Sequence, residues 1–345
     1  MFDYYPYFIA EVGVNHDGDT GKAKELIDAA KEVGCHAVKF QNWITDAVYS
    51  RTESLKPSYQ KFGTDPSESE YETIKALELR TDQLVDLKEY CDEKEIQFLS
   101  TPDEWQSAEL LLYDLSLPII KIASQDVTNL PFLRLLAESG RPLILSTGAA
   151  SLSEVSIAVE EIAKTSGSWC LMHCVSAYPA PLEEMNLRVI TSYKEYFGCQ
   201  VGFSDHSLGV VAAGAALALG AVVFEKHISM DSESFGPDHI ASTTPSAFAE
   251  YVEQLKELAV GLGDGVKKIQ QCETQNRSAF SRFIVASRHL PAGSIIQEKD
   301  LLYKKVQNGL EPKWAEMLIG KKLKRNLKYE ERFALDQIDF SMTTG

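Results

Sequence analysis

Two lysines stand inside runs that otherwise read as buried strand: Lys39 in A-V-K-F-Q and Lys121 in L-P-I-I-K-I-A-S. An ammonium is costly to desolvate unless something anionic meets it. A buried Glu is one such partner. A phosphate or carboxylate ligand is the other, and it suits the hydroxyls that end nearby runs, Thr101, Ser124 and Ser146, because Lys supplies point charge and Ser or Thr supply donors. His206 in G-F-S-D-H and His227 in F-E-K-H close the last two apolar runs. One histidine so placed is ordinarily a hydrogen-bonded structural residue. Two on adjacent strands can offer two ring nitrogens to one divalent cation, with Asp205 and Glu225 beside them. Glu11, in I-A-E-V-G-V-N-H, sets a carboxylate inside the first run, where burial raises its pKa unless a metal or lysine offsets this. It is a candidate acid/base group or acceptor of a polyol hydroxyl. An ion pair with Lys39 is the alternative, and both can hold in turn as substrate arrives. Asp238, in G-P-D-H-I-A-S, either accepts hydrogen bonds from a polyol or lies in a solvated turn. His36, His173 and His289 read as structural.

These residues need a scaffold that brings strand ends together. Short β-branched or apolar runs occur at 8–14, 37–41, 97–100, 119–124, 143–147, 170–176, 200–204 and 222–228. Helical patterns separate them, such as T-G-K-A-K-E-L-I-D-A-A-K-E-V-G with a Thr20 cap and a Gly34 stop. Eight strands with helical crossovers predict a (β/α)8 barrel, whose chemistry sits at the C-terminal strand ends. A doubly wound sheet has fewer strands and a Gly-rich fingerprint after the first, and no G-x-G-x-x-G is present. All eight runs end in polar groups: Glu11 with Asn15 and His16, Lys39 and Gln41, Ser100 and Thr101, Lys121 and Ser124, Ser146 and Thr147, Ser176 and Tyr178, Ser204 with Asp205 and His206, Glu225 and His227. The polar connection at 43–69 is too long for a plain turn and reads as a lid or binding loop. The expected division is a barrel at 1–265, a linker at 266–281 and a small β-rich domain at 282–345.

With 345 residues and an average globular composition, the chain can bury a sizeable core. Fifty acidic against 34 basic residues give a net charge of −16, which disfavours nucleic acid and anionic membrane as partners. No run is long enough to span a bilayer, and the first residues lack the cationic and small-residue features of a signal peptide. A cytoplasmic protein is expected. The six scattered cysteines, with no C-x-x-C, predict buried free thiols. From Arg277 onward 13 Lys and Arg face 8 Asp and Glu, a balance of +5, while everything before it carries 21 against 42. The tail reads as a separate unit.

In order and spacing, I-A-E-V-G-V-N-H-D-G, V-K-F-Q, F-L-S-T-P, K-I-A-S, L-S-T-G, H-C-V-S-A-Y-P, G-F-S-D-H-S-L-G, F-E-K-H-I and G-P-D-H-I-A-S resemble the sialic acid synthase (NeuB) family of nonulosonate synthases. The tail, with F-I-V-A-S-R-H-L-P-A-G-S-I-I-Q-E-K-D-L, resembles the SAF, or antifreeze-like, domain these enzymes carry after a TIM barrel. The resemblance implies condensation of phosphoenolpyruvate with an open-chain N-acylated hexosamine, N-acetylmannosamine or a deoxy-diacetamido relative, in a domain-swapped homodimer. It implies a divalent metal, Mn2+ with Mg2+ or Co2+ as substitutes. Lys39, Thr101, Lys121, Ser124, Ser146 and Ser204 match phosphoenolpyruvate contacts, His206 and His227 the metal ligands, and Glu11, Gln41, Tyr178 and Asp238 the sugar-side or catalytic residues.

Three positions depart from the family pattern. Asp126 stands where a Glu often follows K-I-G-S-G, and Ser176 where many members have Asn; both remain candidate substrate-binding residues. The tail reads K-K-V-Q-N-G in place of K-R-P, so Val306 takes the position of an Arg that reaches the partner subunit's sugar. An aliphatic residue cannot replace its hydrogen bonds, which leaves Lys304, Lys305 and Asn308 as candidates. A legionaminic, pseudaminic or spore-coat type of acceptor therefore stands beside sialic acid. Outside this reaction class, a class I pyruvate aldolase would use a strand lysine as a Schiff base, and a non-catalytic sugar-binding protein would need no polar strand ends.

Overall fold

The structure, a computed structural model, describes residue 2 and residues 5–53, 64, 67, 69–165 and 167–341. Eight parallel strands form the first unit: β1 (Tyr7–Gly13), β2 (Ala37–Asn42), β3 (Gln97–Pro102), β4 (Ile120–Ile122), β5 (Leu143–Ser146), β6 (Trp169–His173), β7 (Gln200–Asp205) and β8 (Val223–His227). They run in the order β3-β2-β1-β8-β7-β6-β5-β4, and β3 lies alongside β4 to bring the sheet round into a nearly closed (β/α)8 barrel. Around it run α1 (Thr20–Glu32), α2 (Thr45–Val48), α3 (Glu70–Leu77), α4 (Thr81–Glu93), α5 (Trp105–Glu109), α6 (Leu130–Glu138), α7 (Leu152–Ala163), α8 (Val189–Phe197), α9 (Val211–Ala218) and α10 (Pro245–Leu262). Local signals start several of them: Asp19 accepts from the Gly21 and Lys22 amides ahead of α1, while Ser69 and Ser151 form capping boxes with Glu72 and Glu154. The actual cap of α1 is Asp19, one residue before the expected Thr20.

Because side chains alternate along a strand, each barrel strand packs two different layers. The outward set, including Phe8, Val38, Phe98, Leu145, Phe203 and Phe224, is buried under the helices. The inward set begins apolar, with Ile9, Ala37, Leu99, Ile119, Ile144, Cys170, Met172 and Val223 filling the barrel. Two residues further along the same face come Glu11, Lys39, Thr101, Lys121, Ser146 and Glu225. The polar site thus begins where the apolar plug ends.

The chain divides into two compact units, Met1–Gly263 and Asp264–Gly345. The second holds α11 (Thr274–Phe280), β9 (Phe283–Ala286), β10 (Leu301–Lys304), α12 (Ala315–Leu318), β11 (Lys322–Leu323) and β12 (Ile338–Asp339), with β9 pairing β10 and β11 pairing β12, both antiparallel. Its own core gathers Ile284, Leu290, Ile296, Leu318, Leu327, Phe333 and Ile338. Helix α11 occupies part of the stretch expected to be linker. Of the connection at 43–69, residues 54–63, 65, 66 and 68 lie outside the described residues. All six cysteines are free thiols, but only Cys35, Cys91, Cys170 and Cys174 are buried as expected; Cys199 is half-buried and Cys272, beyond the barrel, is exposed. Among the described residues no helix is long and apolar enough to cross a membrane.

Candidate active site

A cavity of about 590 Å³ opens at the C-terminal strand ends. Of the residues matched to substrate, metal or catalytic roles in the barrel, Glu11, Lys39, Gln41, Thr101, Lys121, Ser124, Ser146, Ser176, Tyr178, Ser204, His206, His227 and Asp238 line it, and Asp126 does not. At its floor four charged groups meet. Lys39 Nζ lies 2.8 Å from Glu11 Oε2 and 3.8 Å from Glu225 Oε1, and Lys121 Nζ lies 3.8 Å from the same Glu225 oxygen. All four side chains are almost wholly buried. Each lysine thus has a carboxylate neighbour and also lines the cavity. Lys121 also donates to Ser146 Oγ at 2.6 Å, while Lys39 reaches Thr101 Oγ1 at 3.4 Å.

Burial moves these groups in different directions according to their neighbours. Desolvation raises the Glu11 pKa by more than Lys39 lowers it. Glu225 is desolvated too, but Lys121 and Lys39 together outweigh that and hold its pKa low. For Lys39 the burial penalty is overcome by Glu11 and Glu225, which hold it protonated. Lys121 is the exception: burial lowers its pKa, and Glu225 only partly compensates. Gln41 Nε2 donates to Glu11 Oε1 at 2.9 Å, fixing the carboxylate's orientation.

On the β7 and β8 side, His206 and His227 bring their ring centroids within 5.8 Å. The Val175 carbonyl, 2.7 Å from His206 Nδ1, can only accept, so that nitrogen carries the proton and Nε2 faces Ser204 Oγ at 3.3 Å. Burial holds the His206 pKa down at about 4, and burial with the neighbouring His206 holds His227 well below its usual range. His227 Nδ1 is buried without a hydrogen bond, 3.7 Å from Asp238 Oδ2. Tyr178 packs its ring 4.1 Å from that of His206 and edge-on to His227 at 5.7 Å. Burial, then Glu11, pushes Asp238 up to about 7. Two neutral imidazoles in a polar cavity, one with an orphaned nitrogen, are donors of the kind a divalent cation takes. Among the described residues no third His, Cys, Asp or Glu completes a preformed cluster.

Two glycines shape the walls. Gly13 has φ +55°, and a Cβ there would sit 3.2 Å from both Glu11 Oε1 and Asp238 Oδ2 and 3.5 Å from the His227 ring. Three candidate groups thus converge on one small volume. A Cβ on Gly148 would overlap Ser176 Oγ and press on Cys174 Sγ and Ser124 Oγ. The Gly148 amide donates to Ser124 Oγ at 2.8 Å, which ties the β4 and β5 ends together.

Some residues serve elsewhere than their sequence position suggested. Asp126 is buried behind the lining, where Asn129 donates to it at 2.9 Å. Asp205, adjacent to His206, faces outward and pairs with Lys226 at 3.1 Å. Asn15 binds the Ile228 carbonyl and Ser242, and does not line the cavity. In the second unit, Lys304 is ion-paired with Glu330, and the Asn308 carbonyl accepts from Arg332. Asp103, missed in the sequence, lines the cavity and is pushed up to about 7 by burial and then by Asp126. Its signal was its parity, two residues after Thr101 on the inward face.

Fold and site together place a lysine-, hydroxyl- and histidine-lined cavity at the C-terminal mouth of a nearly closed (β/α)8 barrel. The chain belongs to the NeuB family, which it matches over residues 26–267. It is 37% identical over 326 residues to the N,N'-diacetyllegionaminic acid synthase of Legionella pneumophila, covering 93% of this chain and 91% of the relative. It is 32% identical to the human N-acetylneuraminate-9-phosphate synthase, covering 96% and 92%. Among solved structures, a spore coat polysaccharide biosynthesis protein of Bacillus subtilis superposes with a TM-score of 0.65 at 32% identity, covering 99% of this chain and 97% of that one. An N-acetylneuraminic acid synthetase of Leptospira borgpetersenii, in complex with citrate, gives 0.71 at 31% identity, covering 80% and 93%.

Proposed function

We propose that the chain is a nonulosonic acid synthase that condenses phosphoenolpyruvate with an open-chain N-acylated hexosamine, releasing phosphate. The observation that carries this reading is the floor of the cavity, where two lysines with hydroxyl partners stand beside a carboxylate of raised pKa. Phosphoenolpyruvate takes Lys39, Lys121, Thr101, Ser124, Ser146 and Ser204 for its phosphate and carboxylate, with Ser176 on the same wall. An arriving phosphate competes with Glu11 for Lys39, which frees the Glu11 carboxylate to act as a base. The sugar's carbonyl end lies toward His206 and His227, its hydroxyls toward Gln41, Tyr178 and Asp238. Asp126 acts on this wall only through its neighbours.

C3 of phosphoenolpyruvate forms the new bond to the sugar's aldehyde carbon, whose oxygen gains negative charge and then a proton. The attack leaves C2 as an oxocarbenium centre; water adds there and gives one proton to Glu11, matching the one taken up by the sugar oxygen, and the tetrahedral centre breaks its C–O bond to phosphate while its hydroxyl proton leaves with the phosphate, giving the α-keto acid. His206 and His227 would hold a divalent cation, Mn2+ or a substitute, which when bound supplies Lewis-acid polarisation of the aldehyde. We further read Asp264–Gly345 as a SAF domain and the working form as a cytoplasmic homodimer in which each tail serves its partner's barrel. A chain truncated after residue 275, mixed with a full-length His206→Ala chain, should then regain activity in the mixed dimer. No regain in a demonstrated mixed dimer refutes the exchange. The reaction itself is tested by offering phosphoenolpyruvate with a panel of N-acyl hexosamines: phosphate release should require both substrates, and release with no acceptor dependence sinks the reading.

A further inference from the structure

The β7 and β8 strands pair with Ser204 opposite Glu225 and Asp205 opposite Lys226. Alternation sends the first pair into the barrel, where Ser204 donates to Glu225 at 3.1 Å, and the second into the layer beneath the helices. That outer layer is mostly apolar, yet Asp205 and Lys226 sit in it 1% and 2% exposed, 3.1 Å apart. A buried ion pair is weak evidence for stability, since apolar residues of similar volume commonly serve as well. What this pair adds is direction. Lys226 Nζ also donates to the Ser207 carbonyl at 2.6 Å, and Asp205 Oδ1 accepts from the Ser207 amide at 2.9 Å and its hydroxyl at 2.6 Å. The Tyr251 ring on α10, 5.3 Å from Lys226 Nζ, closes the pocket from outside.

His206 is therefore held between two latched residues, and His227 directly follows the residue that supplies the latch. We propose that Asp205 and Lys226 are positioning residues, setting the separation and the 55° tilt of the His206 and His227 rings from the opposite face of the sheet. The proposal rests on the reading of those two imidazoles as the cation-binding pair.

The test is the double variant Asp205→Asn/Lys226→Met, which neutralises both charges at near-constant volume and strands neither. Melting and circular dichroism establish that it folds. Free Mn2+ is then titrated by electron paramagnetic resonance, and the imidazole 15N resonances of the metal-free protein are recorded. Mn2+ should bind about 10- to 100-fold more weakly than to the native chain, and the His206 signal should shift away from a single Nδ1–H tautomer. The Km for phosphoenolpyruvate should stay put, since Lys39 and Lys121 are untouched. Native Mn2+ affinity with native imidazole signals would overturn the proposal. If the native chain itself binds no Mn2+, the metal reading fails while the imidazole signals still decide this one. Should the double variant not fold, Ser207→Ala carries the test: a moved His206 resonance supports the latch, and an unmoved one refutes it.

Discussion

Glu225 Oε1 lies 3.8 Å from Lys121 Nζ, close enough to offset its charge and too far to occupy its donors with a hydrogen bond. Lys121 donates to Ser146 Oγ at 2.6 Å and to the Ile122 carbonyl at a long 3.4 Å, and as a three-donor ammonium keeps capacity toward the cavity. Glu225 does not depend on Lys121 alone, since Lys39 and Ser204 also reach it.

Lys121→Met should accordingly raise the Km for phosphoenolpyruvate by about 10- to 100-fold, the loss of a charge-assisted hydrogen bond or two. Its melting temperature should equal or exceed that of the native chain. A fall of several degrees with an unchanged Km would make Lys121 a purely structural ion-pair partner. Borohydride with pyruvate should leave no adduct on it, because the lysine binds an anion and forms no Schiff base.

His206→Ala and His227→Ala each remove one imidazole from the mouth of the barrel and leave both apolar layers intact. Each should cut turnover by 100-fold or more, on the order expected for loss of an electrophilic stabiliser, with an unchanged circular dichroism spectrum. EDTA should reproduce the loss and Mn2+ restore it in the native chain only. Turnover that survives chelation excludes the cation from the reaction.

Gly148→Ala introduces no backbone strain, so its effect isolates crowding against Ser176, Cys174 and Ser124. The expected result is weaker phosphoenolpyruvate binding, by isothermal titration, with sugar affinity little changed. Equal loss for both ligands would show that the wall is shared.

His16 is fully buried, and desolvation holds its pKa near 4 against an ordinary 6.5. Only the unfolded chain takes up a proton between those values, so stability is intact above about pH 6.5 and falls as pH drops toward 4. By pH 5 this one group should cost about 2 kcal/mol. Urea unfolding at pH 7, 6 and 5 should show a shallower loss for His16→Asn, whose side-chain oxygen can replace the ring nitrogen that accepts from the Gly18 amide. Equal slopes would show that another group governs this window.

Much of the site was legible because a barrel strand is buried on both faces, so Lys39 and Lys121 stand out in apolar runs that should contain no charge. The same contrast marks the strand ends and thereby the eight-fold count. What the sequence hid was direction. Asp205 and His206 are neighbours in the chain but face opposite sides of the sheet, which only the register of β7 distinguishes. Glu225 was visible beside His227, yet its place between two lysines depends on β1, β2, β4 and β8 curving to one point. The steric need for Gly13 and Gly148 was hidden, since the space each preserves is bounded largely by side chains distant in sequence, Asp238 and His227 for the first and Ser176, Cys174 and Ser124 for the second.

Carbon–carbon bond formation from phosphoenolpyruvate is read out by the product mass after incubation with uniformly 13C-labelled phosphoenolpyruvate and an unlabelled N-acyl hexosamine. One α-keto acid sugar with a nine-carbon backbone, carrying three 13C atoms, should form for each phosphate released. Labelled pyruvate as the sole carbon product, with the hexosamine recovered unchanged, would contradict it.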